Sequence, residues 1–254
     1  FVHKLPDYLA SGVNAFTIPL QGGFPGFDGA INSAFNSNGT LRDSYMSRVE
    51  RIIKECDQRN AVVILSCLYQ RQHSHSRSLN SQEAIINAVQ NVSTWIKEHE
   101  YDNVLLEIAN EYPHAGYRNW PDGNWLINAA GQLELIMAAK EIYQNLLVST
   151  SGLGDGEMPD SLARKVDFIL IHFNNTPVKD IVSKINKLKK YNKPIVCNED
   201  HKTGTEAAAS LKMMVSNQCG GGYMNIEQNQ MVPFEFLGPK DDQVVYQMIK
   251  DLTS

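Results

Sequence analysis

Two apolar runs that each end in Asn-Glu constrain this chain more than any other feature. One is Val104-Leu105-Leu106-Glu107-Ile108-Ala109-Asn110-Glu111; the other is Pro194-Ile195-Val196-Cys197-Asn198-Glu199. Runs this apolar read as strands of a parallel sheet covered on both faces. Each places a carboxylate just past the strand's C-terminal end. In a (β/α)8 barrel that end carries the chemistry, so the two runs make a joint claim about architecture and site.

The remaining sequence fits the same architecture. Strand-like segments are read at Ala15–Leu20, Ala61–Leu68, Val104–Ile108, Leu146–Thr150, Phe168–His172, Pro194–Asn198 and Gly222–Ile226. Amphipathic stretches separate them: Tyr45, Val49, Ile52, Ile53 and Cys56 recur at helical spacing behind a Thr40/Asp43 capping box. Ile85, Val89, Val92 and Ile96 form a second stripe, and Ile181, Ile185 and Leu188 a third. Such alternation predicts the α/β class. No linker or repeat divides residues 1–254, so a single (β/α)8 TIM barrel is expected. Seven strands are visible where a closed barrel needs eight. Phe1–Ser11 reads as a helix, which leaves the first barrel strand without a segment.

Composition excludes several function classes. A net charge of -5 gives no basic footprint for nucleic acid, and no apolar stretch has the length of a membrane-spanning helix. The four cysteines lack metal-site spacing and fall in predicted elements, as buried free thiols do. The sequons at Asn38, Asn91 and Asn174 are no more than an Asn-rich chain produces by chance. A start at Phe1 fits a processed secreted protein or a truncated chain, and leaves compartment and oligomeric state undetermined.

The strand-end loops are rich in acids, amides and aromatics. The first is Gln21-Gly22-Gly23-Phe24-Pro25-Gly26-Phe27. The third carries Tyr112, His114, Tyr117, Trp120 and Trp125; the fifth His172-Phe173-Asn174-Asn175; the last Glu227-Gln228-Asn229-Gln230. Amides pair with sugar hydroxyls and aromatic faces with pyranose rings. Two glutamates at one mouth are the groups that cleave a glycosidic bond.

Asn-Glu closing a strand, His closing a later one and a second Glu closing the next is similar to the retaining glycoside hydrolases of clan A, especially the family 5 cellulase-like barrels. Leu106-Glu107-Ile108-Ala109-Asn110-Glu111 resembles that family's fourth-strand motif, and Lys193-Pro194-Ile195-Val196 with Glu199 its seventh. The resemblance runs from Gly12-Val13-Asn14 to Gly220–Tyr223. It implies that Glu111 is the acid/base, held protonated by the negative field of Glu199, and that Glu199 is the nucleophile. Asn110 would bond a sugar hydroxyl, with His172, Asn174, Tyr112, Trp120, Trp125 and Tyr223 as further carbohydrate contacts and no metal or cofactor. The chain departs from the family at Thr17, where Arg is usual, and at Leu68-Tyr69-Gln70, where His is usual. Phe173 stands in place of a Tyr, and no Trp lies near Tyr223-Met224-Asn225.

Simpler readings stand beside these. Either glutamate alone could end a strand and cap a helix, and His172 reads equally as a sugar ligand or a satisfied core histidine. Glu107, inside a strand, is expected to be a buried structural acid with a partner. His73-Ser74-His75 has the HxH form of metal hydrolases but lies in a polar loop. No lysine closes a strand, and no glycine-rich turn has dinucleotide or phosphate-loop spacing. The expected function is retaining β-glycoside hydrolysis of an oligo- or polysaccharide. The alternatives are a catalytically silent carbohydrate-binding barrel and, after it, a metal-dependent hydrolase using His73 and His75.

Overall fold

Seven parallel strands alternate with helices in the computed structural model, which describes residues 1–230 and 235–254, with only the backbone of Asn229. The strands are β1 (Ala15–Pro19), β2 (Val62–Leu68), β3 (Val104–Ala109), β4 (Leu147–Ser149), β5 (Ile169–His172), β6 (Ile195–Glu199) and β7 (Cys219–Gly220). Parallel ladders join β1 to β4 in sequence order and β5 to β7 likewise. A single parallel bridge, Ser151 to Leu170, links the two groups into one arc. The segment before β1 is helical, a 3-10 turn at Val2–Lys4 and α1 (Leu5–Ala10), as its sequence predicts.

The principal helices between strands are α2 (Asp43–Asp57), α3 (Gln82–Glu98), α4 (Gly123–Leu126), α5 (Ala129–Ile142), α6 (Asp160–Ala163), α7 (Val178–Leu188) and α8 (Gly204–Val215); α9 (Gln243–Thr253) closes the chain. Their apolar stripes face the sheet: Tyr45, Val49, Ile53 and Cys56 on α2, Ile85, Val89, Val92 and Ile96 on α3, and Ile181, Ile185 and Leu188 on α7 are buried. This is the alternating α/β architecture of a (β/α)8 TIM barrel. Among the described residues no helix is long and apolar enough to cross a membrane. All four cysteines are free and buried.

A second, smaller cluster lies inside the arc. Ile64, Phe168 and Leu170 are buried there against Leu105 and Val196. Strand side chains alternate between faces. Two residues further along each strand, Ser66, Glu107, His172 and Asn198 therefore turn to the same interior, nearer its C-terminal mouth. The polar end of the arc follows from strand periodicity.

Two sequence expectations are corrected. The reading places a seventh strand at Gly222–Ile226, whereas the ladder uses Cys219–Gly220 and a π-type turn occupies Ile226–Gln230. Close approach is the reason: a Cβ on Gly222 would lie 2.6 Å from the Cys197 carbonyl and 2.8 Å from the Glu199 nitrogen. The chain presses against the end of β6 there instead of continuing the ladder. The Thr40/Asp43 capping box does not form either. α2 begins at Asp43 after Arg42 without a side-chain cap, and the Thr40 hydroxyl bonds Asn38 within its own turn.

Candidate active site

Glu111 and Glu199 converge on His172. The His172 Nδ1 lies 3.5 Å from Glu111 Oε1 and 3.8 Å from Glu199 Oε2. One atom from each of the three side chains falls within 4.8 Å of the others. The imidazole is fully buried, whereas both carboxylates keep part of their surface open to solvent. Burial works to lower the His172 pKa. The contact with Glu111 and the charges of Glu199, Glu107 and Glu111 outweigh it, holding the imidazole above the ordinary histidine value.

Both oxygens of Glu199 are held by amides. Asn174 donates to Oε1 at 2.7 Å and Asn110 to Oε2 at 3.3 Å. Asn174 is itself oriented by the His201 N–H, 3.1 Å from its Oδ1. Charge-assisted hydrogen bonds on both oxygens fix the carboxylate's rotation and direction.

Glu111 is held by its backbone. It sits just past β3 with φ of 49°, a left-handed conformation uncommon outside glycine. Its N–H donates to the Ser151 hydroxyl at 2.9 Å, and that hydroxyl donates to Glu107 Oε1 at 2.5 Å. The Tyr112 N–H reaches the Ser151 carbonyl, and the His114 N–H the Glu111 carbonyl. The fully buried Tyr117 donates its hydroxyl to the Leu68 and Asn110 carbonyls, tying the ends of β2 and β3. Strained backbone persists where its surroundings over-determine it, and such positions cluster at functional sites.

Glu107 is the buried acid its sequence position predicts. It is fully enclosed beneath the mouth, opposite Ser66 in the β2–β3 register. Burial raises its pKa above the ordinary carboxylate value, partly offset by the His172 charge and the Ser151 and Ser66 hydroxyls. A Glu–Ser relay thus underlies the turn that presents Glu111.

The structure assembles Asn110, Glu111, His172, Asn174 and Glu199 from the ends of β3, β5 and β6. It does not give Tyr112 and Trp120 the open faces that stacking needs, while Trp125 and Tyr223 stay partly open. Tyr112 and Trp120 are each 4% exposed and belong to the core. The Trp125 indole donates to Glu134 on α5, and Tyr223 bonds Asp242 at the start of α9 and packs on Tyr246. Sequence reasoning missed Ser151 and Tyr69. The Tyr69 N–H is clamped by Gln21 Oε1, and its hydroxyl makes no hydrogen bond among the described residues. Burial raises the Tyr69 pKa, Arg71 opposes this, and the Glu199 and Glu111 charges raise it further. Both missed residues stand just past predicted strands, a positional signal shared with the glutamates.

Among the described residues, no third acidic, His or Cys side chain gathers with His73 and His75 as a metal site would need. His75 accepts the Arg77 N–H at Nδ1, so Nε2 carries the proton and donates to Gln72. Both nitrogens are engaged, while His73 Nδ1 pairs with Ser74. Among the described residues, Glu111, His172 and Glu199 are the one trio of acidic, His or Cys side chains close enough to share a cation.

Residues 6–219 match the family described as Cellulase (glycosyl hydrolase family 5). Solved structures agree in fold. A GH5-4 broad-specificity endoglucanase from an uncultured bovine rumen ciliate superposes with a TM-score of 0.71 at 13% identity, covering 100% of this chain and 86% of its own. A GH5 xyloglucan-specific endo-β-1,4-glucanase from a metagenomic library, in complex with cellotriose, gives 0.68 at 12% identity, covering 99% and 87%. A GH5 lichenase from Caldicellulosiruptor sp. F32 gives 0.62 at 14%, covering 100% and 83%. At these identities the likeness is one of fold. No curated protein matches the chain.

Proposed function

The chain belongs to glycosyl hydrolase family 5, and on that premise we propose that it hydrolyses a β-linked oligo- or polysaccharide with retention, Glu199 acting as nucleophile and Glu111 as acid/base. The observation that carries this reading is the approach of Glu111 and Glu199 oxygens to within 4.8 Å. Retaining enzymes hold their carboxyl groups about 5–5.5 Å apart, while inverting enzymes need roughly 6.5–9.5 Å to admit a water.

In the first displacement the Glu199 carboxylate attacks the anomeric carbon. The glycosidic C–O bond breaks and Glu111 gives its proton to the departing oxygen. In the second, Glu111, now a carboxylate, takes a proton from water, whose oxygen attacks the same carbon and expels Glu199. Asn110 and Asn174 hold the nucleophile in line. His172, with its raised proton affinity, lies 3.5 Å from Glu111 and 3.8 Å from Glu199, where a proton on its ring eases the repulsion between the carboxylates. The relatives' names make cello-oligosaccharides, xyloglucan and lichenan the first substrates to screen.

Glu199→Ala and Glu111→Ala are each expected to abolish hydrolysis. Azide restores turnover of an activated aryl glycoside by Glu199→Ala, because a small anion can enter the vacated space. Wild-type turnover in either variant would discard the role given to that residue. A catalytically silent, carbohydrate-binding barrel is the competing reading, favoured by Thr17 at the usual Arg position. Among the described residues no Lys or Arg pairs with Glu199. Sugar binding without turnover by the wild-type protein would establish it.

A further inference from the structure

Three Asn-X-Ser/Thr sequons stand in the chain, at Asn38, Asn91 and Asn174, and sequence alone does not separate them. The fold does. Asn91 lies inside α3, where its amide donates to the Gly39 carbonyl at 3.0 Å. The hydroxyl of that sequon, on Ser93, is fully buried and donates to the Val89 carbonyl. Asn174 donates to Glu199 at 2.7 Å, and Thr176, 3% exposed, donates to the Gly154 carbonyl. An oligosaccharide on either amide would displace a bond that the fold uses.

Asn38-Gly39-Thr40 differs on each count. It forms the tip of a hairpin closed by the antiparallel bridge of Phe35 to Leu41. The Asn36 N–H donates to the Thr40 carbonyl, and the Gly39 N–H to the Asn36 carbonyl. Asn38 and Thr40 are exposed, while Gly39 between them is buried. Gly39 has φ of 88°, and a Cβ there would fall 2.3 Å from the Ala84 carbonyl of α3. Glycine seats the turn on the helix by its middle residue, which leaves the flanking Asn and Thr clear.

The amide is also oriented. The Thr40 N–H and hydroxyl both donate to Asn38 Oδ1, at 3.2 and 2.8 Å, and the Asn36 amide donates to the same hydroxyl at 3.0 Å. With its oxygen engaged by Thr40, the Asn38 Nδ2 makes no hydrogen bond among the described residues. The base of the hairpin is anchored separately. Arg77 donates to Asn36 Oδ1 at 2.6 Å, and the Asn80 N–H to the Ser37 carbonyl at 3.0 Å. A bulky group at the tip leaves those bonds in place.

We propose that Asn38 is a site of N-linked glycosylation, accepting an oligosaccharide from a lipid-diphosphate donor when the chain enters a compartment that holds the transferase. A bond forms between Nδ2 and the anomeric carbon of the first sugar as that carbon's bond to the diphosphate oxygen breaks. The lipid diphosphate leaves with the electron pair, and Nδ2 gives up one proton to a base of the transferase. The site lies on the flank of α3 and is independent of the hydrolase reading.

The test directs the full chain into the secretory pathway of a eukaryotic cell behind a cleavable leader, as wild type, Asn38→Gln and Thr40→Ala. Enzymatic removal of the sugar converts a modified Asn to Asp, and peptide mass measurement is expected to find that mark at Asn38 alone. Both variants are expected to lose the added mass completely. A wild-type chain whose leader has been removed yet carries no glycan would overturn the proposal, as would a glycan at Asn91 or Asn174 with Asn38 bare. A second measurement needs no cellular machinery. The four native thiols are buried, so a neutral dextran-maleimide is expected to label folded Asn38→Cys rapidly at that position, with the melting temperature of the conjugate unchanged. Labelling no faster than that of the wild-type thiols, or a lowered melting temperature on conjugation, would refute a tolerated site.

Discussion

Lys202→Met isolates the clip that holds the loop after Glu199. In the wild type, Lys202 Nζ lies 2.8 Å from both Asp200 Oδ1 and the Phe173 carbonyl, and the Lys202 and Asp200 side chains are 7% and 2% exposed. A buried pair gains little over an apolar one, because desolvation cancels most of its attraction. Removing one partner is different. The Asp200 carboxylate is left with Ser210 as its side-chain partner, and the Phe173 carbonyl loses its ammonium donor. The expected cost is about 3–5 kcal/mol. For a chain of this size that corresponds to a melting temperature roughly 6–20 °C lower. The assay is urea and thermal unfolding by circular dichroism, for this variant and for Asp200→Asn combined with Lys202→Met. The double variant buries no charge and is expected to recover most of the loss. A single variant within about 1 kcal/mol of wild type, or a double variant less stable than the single, would contradict the clip.

Asn174→Ala removes the 2.7 Å bond to Glu199. A hydrogen bond to a charged group contributes about 1.5–3 kcal/mol, so kcat is expected to fall roughly 10- to 150-fold; a value within about twofold of wild type would contradict the dependence of the proposed nucleophile on this amide. Glu107→Gln keeps an acceptor for Ser151 but never ionises. Glu107 has a raised pKa when folded, so its contribution is complete below the unfolded value and is lost as pH rises through the folded one. His172, also raised, acts with the same sign at higher pH. The variant is expected to show a shallower decline of stability with pH by urea unfolding; an unchanged slope sinks the assignment. Tyr69→Phe removes a hydroxyl that makes no hydrogen bond among the described residues, so steady-state kinetics are expected to show a lower kcat/KM while the melting temperature stays put. A lower melting temperature with unaltered kinetics would make Tyr69 structural.

The part of the site legible in the sequence is the part that strand periodicity controls. Apolar runs ending in Asn-Glu place two carboxylates at strand ends, and a parallel sheet delivers all such ends to one side. His172 and Asn174 follow by the same rule. Where backbone geometry was decided by contacts, sequence reading failed. The glycines at 220–222 look like the start of a strand, yet Gly222 serves the close approach to β6. Tyr112 and Trp120 look like a sugar platform because loop periodicity does not fix which way a ring turns; both turn into the core. The left-handed turn at Glu111 leaves no glycine to announce it, and its support, Ser151 with Glu107, spans two strands.

The assignment of roles to the two glutamates is tested most directly by trapping the enzyme with a fluorinated, activated aryl glycoside, whose slow second step lets the covalent sugar accumulate. Intact-protein and peptide mass measurements are expected to show one added sugar, carried on the peptide containing Glu199. A label on Glu111, or ready turnover with no covalent adduct and an inverted product, would contradict the account.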